Sequence, residues 1–98
     1  MAIEFSPQEI EVIRGYFDKI RSGESQTQLP QERPEWTTVF LLLRKLLAFG
    51  IYAGLQTNQG ISYKELQTKT QKPETMLANV HTYAGTFEQL LAAYTAHH

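Results

Sequence analysis

Residues 40–55, FLLLRKLLAFGIYAGL, form a nearly continuous apolar run in a chain of 98 residues. A chain of this length has room for one modest core, and burying a helix of this size would use most of it. The run must therefore be covered by a bilayer, by the rest of the chain or by a partner. Which of these covers it constrains both the fold and the function.

A bilayer is the least suitable cover. A membrane-spanning helix needs about 20 apolar residues, and Arg44 and Lys45 lie near the middle of the run. Each of these charges would cost roughly 2.5–3.5 kcal/mol at the centre of a membrane. The opening sequence, MAIEFSPQEIEVIRG, also lacks the basic and apolar regions of a secretory signal peptide. We therefore expect no membrane contact and a cytoplasmic location.

The composition agrees with this expectation. Nine basic and ten acidic side chains nearly cancel, so the chain has no overall field that would attract nucleic acid or anionic lipid. Cysteine is absent, which excludes disulfides, thiol catalysis and cysteine-ligated zinc and fits a reducing compartment. We expect residues 1–98 to form a single domain.

Two matching capping signals predict helix starts. In FSPQEI, Ser6 occupies the N-cap, Pro7 the first helical position and Glu9 the third. The segment ISYKEL repeats the capping box with Ser62 and Glu65. The hydrophobic staples that accompany the two boxes are Phe5 with Ile10 and Ile61 with Leu66.

These signals predict an all-α chain. Helix 1 should cover about residues 7–21, where apolar residues recur at spacings of three and four. The polar, proline-broken segment GESQTQLPQER follows, and we expect a mobile loop over residues 22–33. Pro34 opens helix 2, which is predicted at about 35–55, and helix 3 is predicted at about 63–70.

The last third of the chain has one long apolar stripe. Its members are Leu77, Val80, Ala84, Phe87, Leu91 and Tyr94. The period passes through Gly85 without a shift, whereas a break there, with Thr86 as a new N-cap, would normally reset it. We therefore predict one helix over about 74–96, which completes a compact four-helix domain.

Projection at about 100° per residue separates two sides of helix 2. One broad face is expected to be core and contains Trp36, Val39, Phe40, Leu43, Leu46, Leu47, Gly50 and Gly54. On the opposite side, Leu41, Ala48 and Tyr52 share an arc with Arg44 and Lys45. Because this side is only half polar, either helix 3 and the loop cover it or another chain does.

The sequence contains no cluster with catalytic or metal-binding spacing. His81 has no second histidine or paired carboxylate four residues away, so we expect a solvated or hydrogen-bonded side chain. The charges of helix 1 recur at spacings of three and four, which is typical of surface ion pairs. These charges are Glu9, Glu11, Arg14, Asp18, Lys19 and Arg21. We therefore expect no enzyme activity, no catalytic residue, no metal and no cofactor.

The segment GISYKELQTKTQKPETMLANVHTY resembles a helix-turn-helix, with a short capped helix, a turn and a second helix. Leu66, Leu77 and Val80 match apolar positions of that motif. The departures from the motif are Gln67 at a small position, Thr70 at an apolar position and Gln71 at the turn glycine. The resemblance implies a DNA-binding regulator that uses residues 62–84.

The residues that would contact DNA in this hypothesis are Lys64, Lys69, Lys72, Asn79 and His81. The second helix, however, begins with Glu74 and contains no Arg or Lys as far as Tyr83. Phosphate neutralisation supplies much of the affinity of DNA-binding proteins, and arginine makes the commonest base contact. DNA binding is therefore the second hypothesis.

The leading hypothesis is a small helical protein-interaction module, such as an adaptor, a regulatory subunit or an assembly subunit. It rests on an apolar inventory that is large for the polar surface available, including five Tyr, five Phe and one Trp. Such a module would self-associate, as a homodimer, or bind another protein. The expected partner-binding residues are Leu41, Arg44, Lys45, Ala48 and Tyr52.

Overall fold

The computed structural model describes residues 3–22, 34–57 and 60–97, and these residues form five α-helices and no strand. The helices are α1 (Pro7–Arg21), α2 (Pro34–Tyr52), α3 (Tyr63–Lys69), α4 (Pro73–Thr82) and α5 (Ala84–His97). The predicted all-α class is confirmed. The loop predicted over residues 22–33 lies outside the described residues, apart from Ser22.

α1 begins with the predicted capping box. Ser6 Oγ accepts from the N–H of Glu9 at 3.1 Å, and the N–H of Ser6 donates to Glu9 Oε1 at 2.8 Å. The two bonds satisfy N–H groups that have no partner within the helix. α1 then buries Ile13, Tyr16 and Phe17, and its bounds are those predicted from the sequence.

α2 is the central helix and packs against α1, α3, α4 and α5. Seven of the eight residues assigned to its core face are buried: Trp36, Val39, Phe40, Leu43, Leu46, Leu47 and Gly50. The chain itself therefore covers this face of the apolar run.

α2 ends at Tyr52 rather than at about residue 55. Gly54 has a φ of 68°, its N–H donates to Ile51 O at 3.1 Å, and the N–H of Leu55 donates to Gly50 O at 3.0 Å. These are the two bonds of a Schellman motif, in which glycine supplies the left-handed residue. The assignment of Gly54 to the core face was therefore wrong, because Gly54 is exposed and ends the helix.

Gly50 allows α3 and α5 to approach α2 closely. A Cβ atom at Gly50 would lie 2.9 Å from Leu90 Cδ1 and 3.0 Å from Tyr63 Cδ2. Non-bonded carbon atoms prefer a separation of about 3.5–4.0 Å. Any side chain at this position would therefore force Leu90 or Tyr63 to move.

α3 starts at the predicted cap, where Ser62 Oγ accepts from the N–H of Glu65 at 3.0 Å. The Glu65 carboxylate lies beside Lys69, at 3.9 Å from its Nζ atom. The helix ends before Thr70, whose buried hydroxyl donates to Leu66 O at 2.7 Å. α3 and α4 therefore enclose a short turn, as the helix-turn-helix resemblance implied.

The single helix predicted over residues 74–96 is two helices, so the count of four helices was wrong. The break lies at Tyr83, which has φ −119° and ψ 35°, and not at Gly85. The Thr82 hydroxyl donates to Ala78 O at 3.1 Å, a type of bond that often bends helices. The Tyr83 carbonyl then accepts from the N–H of Phe87 at 3.2 Å, and α5 begins.

The described end of α5 is fixed to the segment that leads into α1. Tyr94 Oη accepts from the N–H of Phe5 at 2.7 Å. The Tyr94 ring also meets the rings of Phe5 and Phe49 edge to face, at centroid distances of 4.9 and 5.2 Å. This aromatic cluster joins α5, α2 and the start of α1.

Candidate functional site

The outer side of α2 contains the predicted partner-binding residues Leu41, Arg44, Lys45, Ala48 and Tyr52, here called the α2 outer surface. Leu41 is 56% exposed and Tyr52 is 66% exposed. Arg44 is exposed, and Lys45 and Ala48 are half-buried. The apolar ends of this surface therefore remain open to solvent in the described fold.

Lys45 connects α2 to α1. Its Nζ atom lies 3.7 Å from Glu9 Oε1 and 4.6 Å from the centroid of the Phe5 ring. Arg44 packs along its own helix, with Cζ 5.9 Å from the centroid of the Phe40 ring, and it makes no ion pair with a described residue. Within the described residues, Arg44 is therefore the charge of the α2 outer surface that has no ion pair.

A third exposed apolar residue is Val12 of α1. Val12 is 41% exposed, and with Leu41 and Tyr52 it completes the set of large exposed apolar side chains among the described residues. The contacts of Glu9 with Lys45 and of Tyr16 with Trp36 show that α1 and α2 run antiparallel. Val12 lies one turn after Glu9 on α1, and Leu41 lies one turn before Lys45 on α2. An antiparallel packing therefore puts Val12 and Leu41 at a similar height along the two helices. The sequence pattern did not single out Val12, because it lies outside the apolar stripe of Ile10, Ile13, Phe17 and Ile20.

The junction of α1 and α2 also buries two unpaired polar atoms. The rings of Tyr16 and Trp36 lie 5.5 Å apart between centroids. Neither Tyr16 Oη nor Trp36 Nε1 has a hydrogen-bond partner among the described residues. Burial raises the pKa of the Tyr16 phenol, and it also raises the pKa of Tyr63. Both phenols therefore stay neutral at physiological pH.

Helix capping explains why the pKa of one carboxyl group in this region, that of Glu9, departs from its usual value. The N–H of Ser6 donates to the Glu9 carboxylate and lowers the pKa of Glu9 below its usual 4.5. Slight desolvation opposes the shift, and the charge of Lys45 supports it.

Among residues 3–22, 34–57 and 60–97, no three His, Asp or Glu side chains form a group that could hold a metal ion. The side chains on and around the α2 outer surface suit apolar contact better than acid–base chemistry.

Two open grooves of about 370 and 330 Å³ follow the seam between α1 and α5 and meet at Arg14 and Thr95. In the larger groove, Arg21 lies 2.7 Å from Asp18 and forms an ion pair with Glu88 of α5. Arg14 makes no ion pair with a described residue. Because the other charges of this groove pair with one another, they are not arranged to select an ionic ligand.

The residues of the DNA-binding hypothesis lie on α3, the turn and α4. Lys64, Lys69 and Lys72 are exposed, and His81 is half-buried. Asn79 Nδ2 donates to Thr75 O at 2.9 Å and to Lys69 O at 3.4 Å, so the amide braces the turn. The exposed positions of α4 are Glu74, Thr75, Ala78 and Thr82. The outward side of α4 therefore presents no cation.

The chain matches no protein-family model, no curated protein and no solved structure. Within the described part of the chain, no helix has both the length and the apolar character needed to cross a membrane.

Proposed function

We propose that this chain is a small helical protein-interaction module without catalytic activity or cofactor, which serves as an adaptor, a regulatory subunit or an assembly subunit. In this proposal a partner protein binds the α2 outer surface. The observation that carries it is the exposure of Leu41 and Tyr52 on one stripe of the helix that also forms the core. The absence of cysteine favours the reducing cytoplasm as its location.

The composition of the α2 outer surface supports protein binding. Leu41 and Tyr52 lie about 16 Å apart along the helix, with the small residue Ala48 between them and Arg44 at the rim. Interfaces combine an apolar centre with a polar rim, and tyrosine and arginine are enriched among the residues that dominate their energy. Full burial of a side chain such as Leu41 contributes about 1.5–3 kcal/mol.

The rigidity of α2 also favours binding. Its inner face is fixed in the core by Leu43, Leu46 and Leu47, which are fully buried. Lys45 ties the same helix to α1. Because the backbone beneath Leu41 and Tyr52 is already ordered, a partner would not have to order it on binding.

Site-specific photo-crosslinking in cells that naturally make the protein tests the proposal. The crosslinker p-benzoylphenylalanine is placed at Leu41, at Tyr52 or, as a control, at the exposed Lys64 of α3. The proposal predicts one shared crosslinked partner from positions 41 and 52 that is absent from position 64. Equal products from all three positions, or none from positions 41 and 52, would contradict it.

DNA binding is the second candidate, favoured by the exposed Lys64, Lys69 and Lys72 on the helix–turn–helix of α3 and α4. Against it, the outward side of α4 has no cation and Asn79 is bonded to the backbone. We therefore expect no retardation of duplex DNA by micromolar protein in about 0.15 M salt. A salt-sensitive shift that is lost on Lys69→Gln with Lys72→Gln would favour DNA binding instead.

A further inference from the structure

The α2 outer surface carries a positive charge that the described residues do not balance. The chain has ten acidic residues, but none of them falls within residues 36–64. A carboxylate that reaches this surface from α1, that of Glu9, lies 3.7 Å from Lys45 Nζ and also accepts from the N–H of Ser6. Arg44 is exposed and makes no ion pair with a described residue. The net charge of the surface is therefore that of Arg44.

The Phe40 ring holds the Arg44 side chain against the helix. Arg44 Cζ lies 5.9 Å from the ring centroid, within the range of a cation–π contact. Leu41 and Ala48 stand three residues before and four residues after Arg44, and so are its neighbours on the helix surface. A guanidinium is planar and presents paired N–H donors that fit a carboxylate. The surface thus combines a positioned carboxylate-binding group with apolar contacts on both sides of it.

The same charges disfavour a second copy of this chain as the occupant. In a two-fold contact both copies use the same surface, so Arg44 of one chain would meet residues 36–52 of the other. This stretch contains Arg44 and Lys45 but no acidic residue. Like charges brought together across an interface cost free energy and suppress the pairing. The complementary occupant carries a negative charge at the level of Arg44.

An anionic membrane fits this surface less well than an acidic segment of a protein. Segments that bind anionic lipid typically present about four to eight Lys or Arg together. The α2 outer surface has two cations, and one of them, Lys45, is paired with Glu9. A single carboxylate, by contrast, is enough to match Arg44.

We propose that the partner contacts the α2 outer surface through an acidic apolar segment, in which an Asp or Glu binds Arg44 and apolar side chains on either side cover Leu41 and Tyr52. This inference rests on the proposed function and adds the chemistry of the partner. Leu41 and Tyr52 supply the buried area, and Arg44 selects a segment with a carboxylate over one with an amine at the same position. Because Arg44 is exposed, added salt weakens the contact.

Selection from a random display library of short peptides tests the proposal. The wild-type protein is the bait, and peptides that also bind Leu41→Glu are discarded, so that the remaining pool is specific for the α2 outer surface. The proposal predicts that this pool is enriched in Asp or Glu next to apolar residues. Selection on Arg44→Glu should enrich Lys or Arg instead. The matched control Lys64→Glu, which makes the same change of charge on α3, should return the acidic peptides of the wild type.

Calorimetric titration of one selected peptide measures the effect of the charge. Arg44→Glu should weaken its binding at least tenfold, whereas Lys64→Glu should leave it unchanged, and both variants should keep the thermal midpoint of the wild type. Replacement of the acidic residue of the peptide by Lys should reverse the preference, so that Arg44→Glu binds it more tightly than the wild type does. An affinity that Arg44→Glu leaves unchanged overturns the proposal, as does a pool that is empty or lacks acidic enrichment.

The partner crosslinked from position 52 separates failure of this inference from failure of the proposed function. Arg44→Glu should abolish that product in cells, and Lys64→Glu should not. A product that is lost in Leu41→Glu but undiminished in Arg44→Glu overturns the acidic segment and leaves the interaction module standing, whereas a product absent from the wild type contradicts both. A dimer in sedimentation equilibrium, or binding to phosphatidylserine vesicles, that Leu41→Glu abolishes would assign the surface to a second copy or to a membrane and would also overturn the proposal.

Discussion

Tyr16 and Trp36 join α1 to α2 through rings whose centroids are 5.5 Å apart, yet neither Tyr16 Oη nor Trp36 Nε1 has a hydrogen-bond partner in the described part of the chain. Tyr94 provides a natural comparison, because it is as deeply buried as Tyr16, at 3% exposure, and its hydroxyl accepts from the N–H of Phe5. The Tyr16 hydroxyl should therefore lower the free energy of unfolding, and the Tyr94 hydroxyl should raise it.

Tyr16→Phe should raise the free energy of unfolding by about 1 kcal/mol, because it removes a buried hydroxyl without a partner. Tyr94→Phe should lower it by about 1–3 kcal/mol, because it leaves the N–H of Phe5 without an acceptor. Urea unfolding of both variants gives the comparison. If Tyr16→Phe is as destabilising as Tyr94→Phe, the Tyr16 hydroxyl has a partner and this part of the account is wrong.

Two glycines on helix interiors should respond to alanine in opposite ways. Gly50→Ala should cost about 1–3 kcal/mol, since its Cβ would press on Leu90 and Tyr63 in a filled core. Gly15→Ala should stabilise the chain by up to about 1 kcal/mol through helix propensity. Thermal unfolding of the two variants measures both effects. A stabilising Gly50→Ala would contradict the packing described around Gly50, and a destabilising Gly15→Ala would contradict the open space described at Gly15.

The capping carboxylate of Glu9 predicts a pH dependence. The pKa of Glu9 is lower in the folded chain than in the unfolded chain. The stabilisation that the charged carboxylate provides is therefore complete at pH values above the pKa of Glu9 in the unfolded chain. This stabilisation is lost as the pH falls through the pKa of Glu9 in the folded chain. Glu9→Gln keeps a side-chain acceptor but removes the charge.

The difference in thermal midpoint between wild type and Glu9→Gln should therefore be present at neutral pH and shrink in acid, below about pH 4. Lys45→Met should reduce this pH dependence, because Lys45 supports the charged form of Glu9. A difference that grows on acidification would show that the sign of the shift is wrong.

The bounds of α1 and the core face of α2 could be predicted because their signals are local. The Ser6 and Glu9 capping box is complete within four residues, and the projection of α2 requires only a regular helix. The end of α2 was missed because a glycine in the sequence does not reveal its φ. Gly50 and Gly54 look alike there, but only Gly54 is left-handed.

The break at Tyr83 could not be predicted because only one residue leaves the helix. Buried residues on both sides, such as Val80 and Phe87, keep nearly the same period across it. The exposure of Val12 was equally hidden, since it depends on how α1 packs against the rest of the chain. The α2 outer surface itself could be anticipated because Leu41, Ala48 and Tyr52 follow one stripe.

The proposed interface makes one energetic prediction that separates binding from folding. Leu41→Glu changes a solvent-facing side chain and should shift the free energy of unfolding by only about 0.5 kcal/mol. Leu43→Ala is the control on the buried side of the same helix and should cost about 2–5 kcal/mol. Urea unfolding of the two variants provides the comparison.

The most direct measurement is the yield of the partner crosslinked from position Tyr52, with and without Leu41→Glu. We predict that Leu41→Glu abolishes this product while the chain stays folded, because both residues belong to one interface. An undiminished yield of the product, or a Leu41→Glu variant that unfolds as readily as Leu43→Ala, would contradict the α2 outer surface as the partner-binding site.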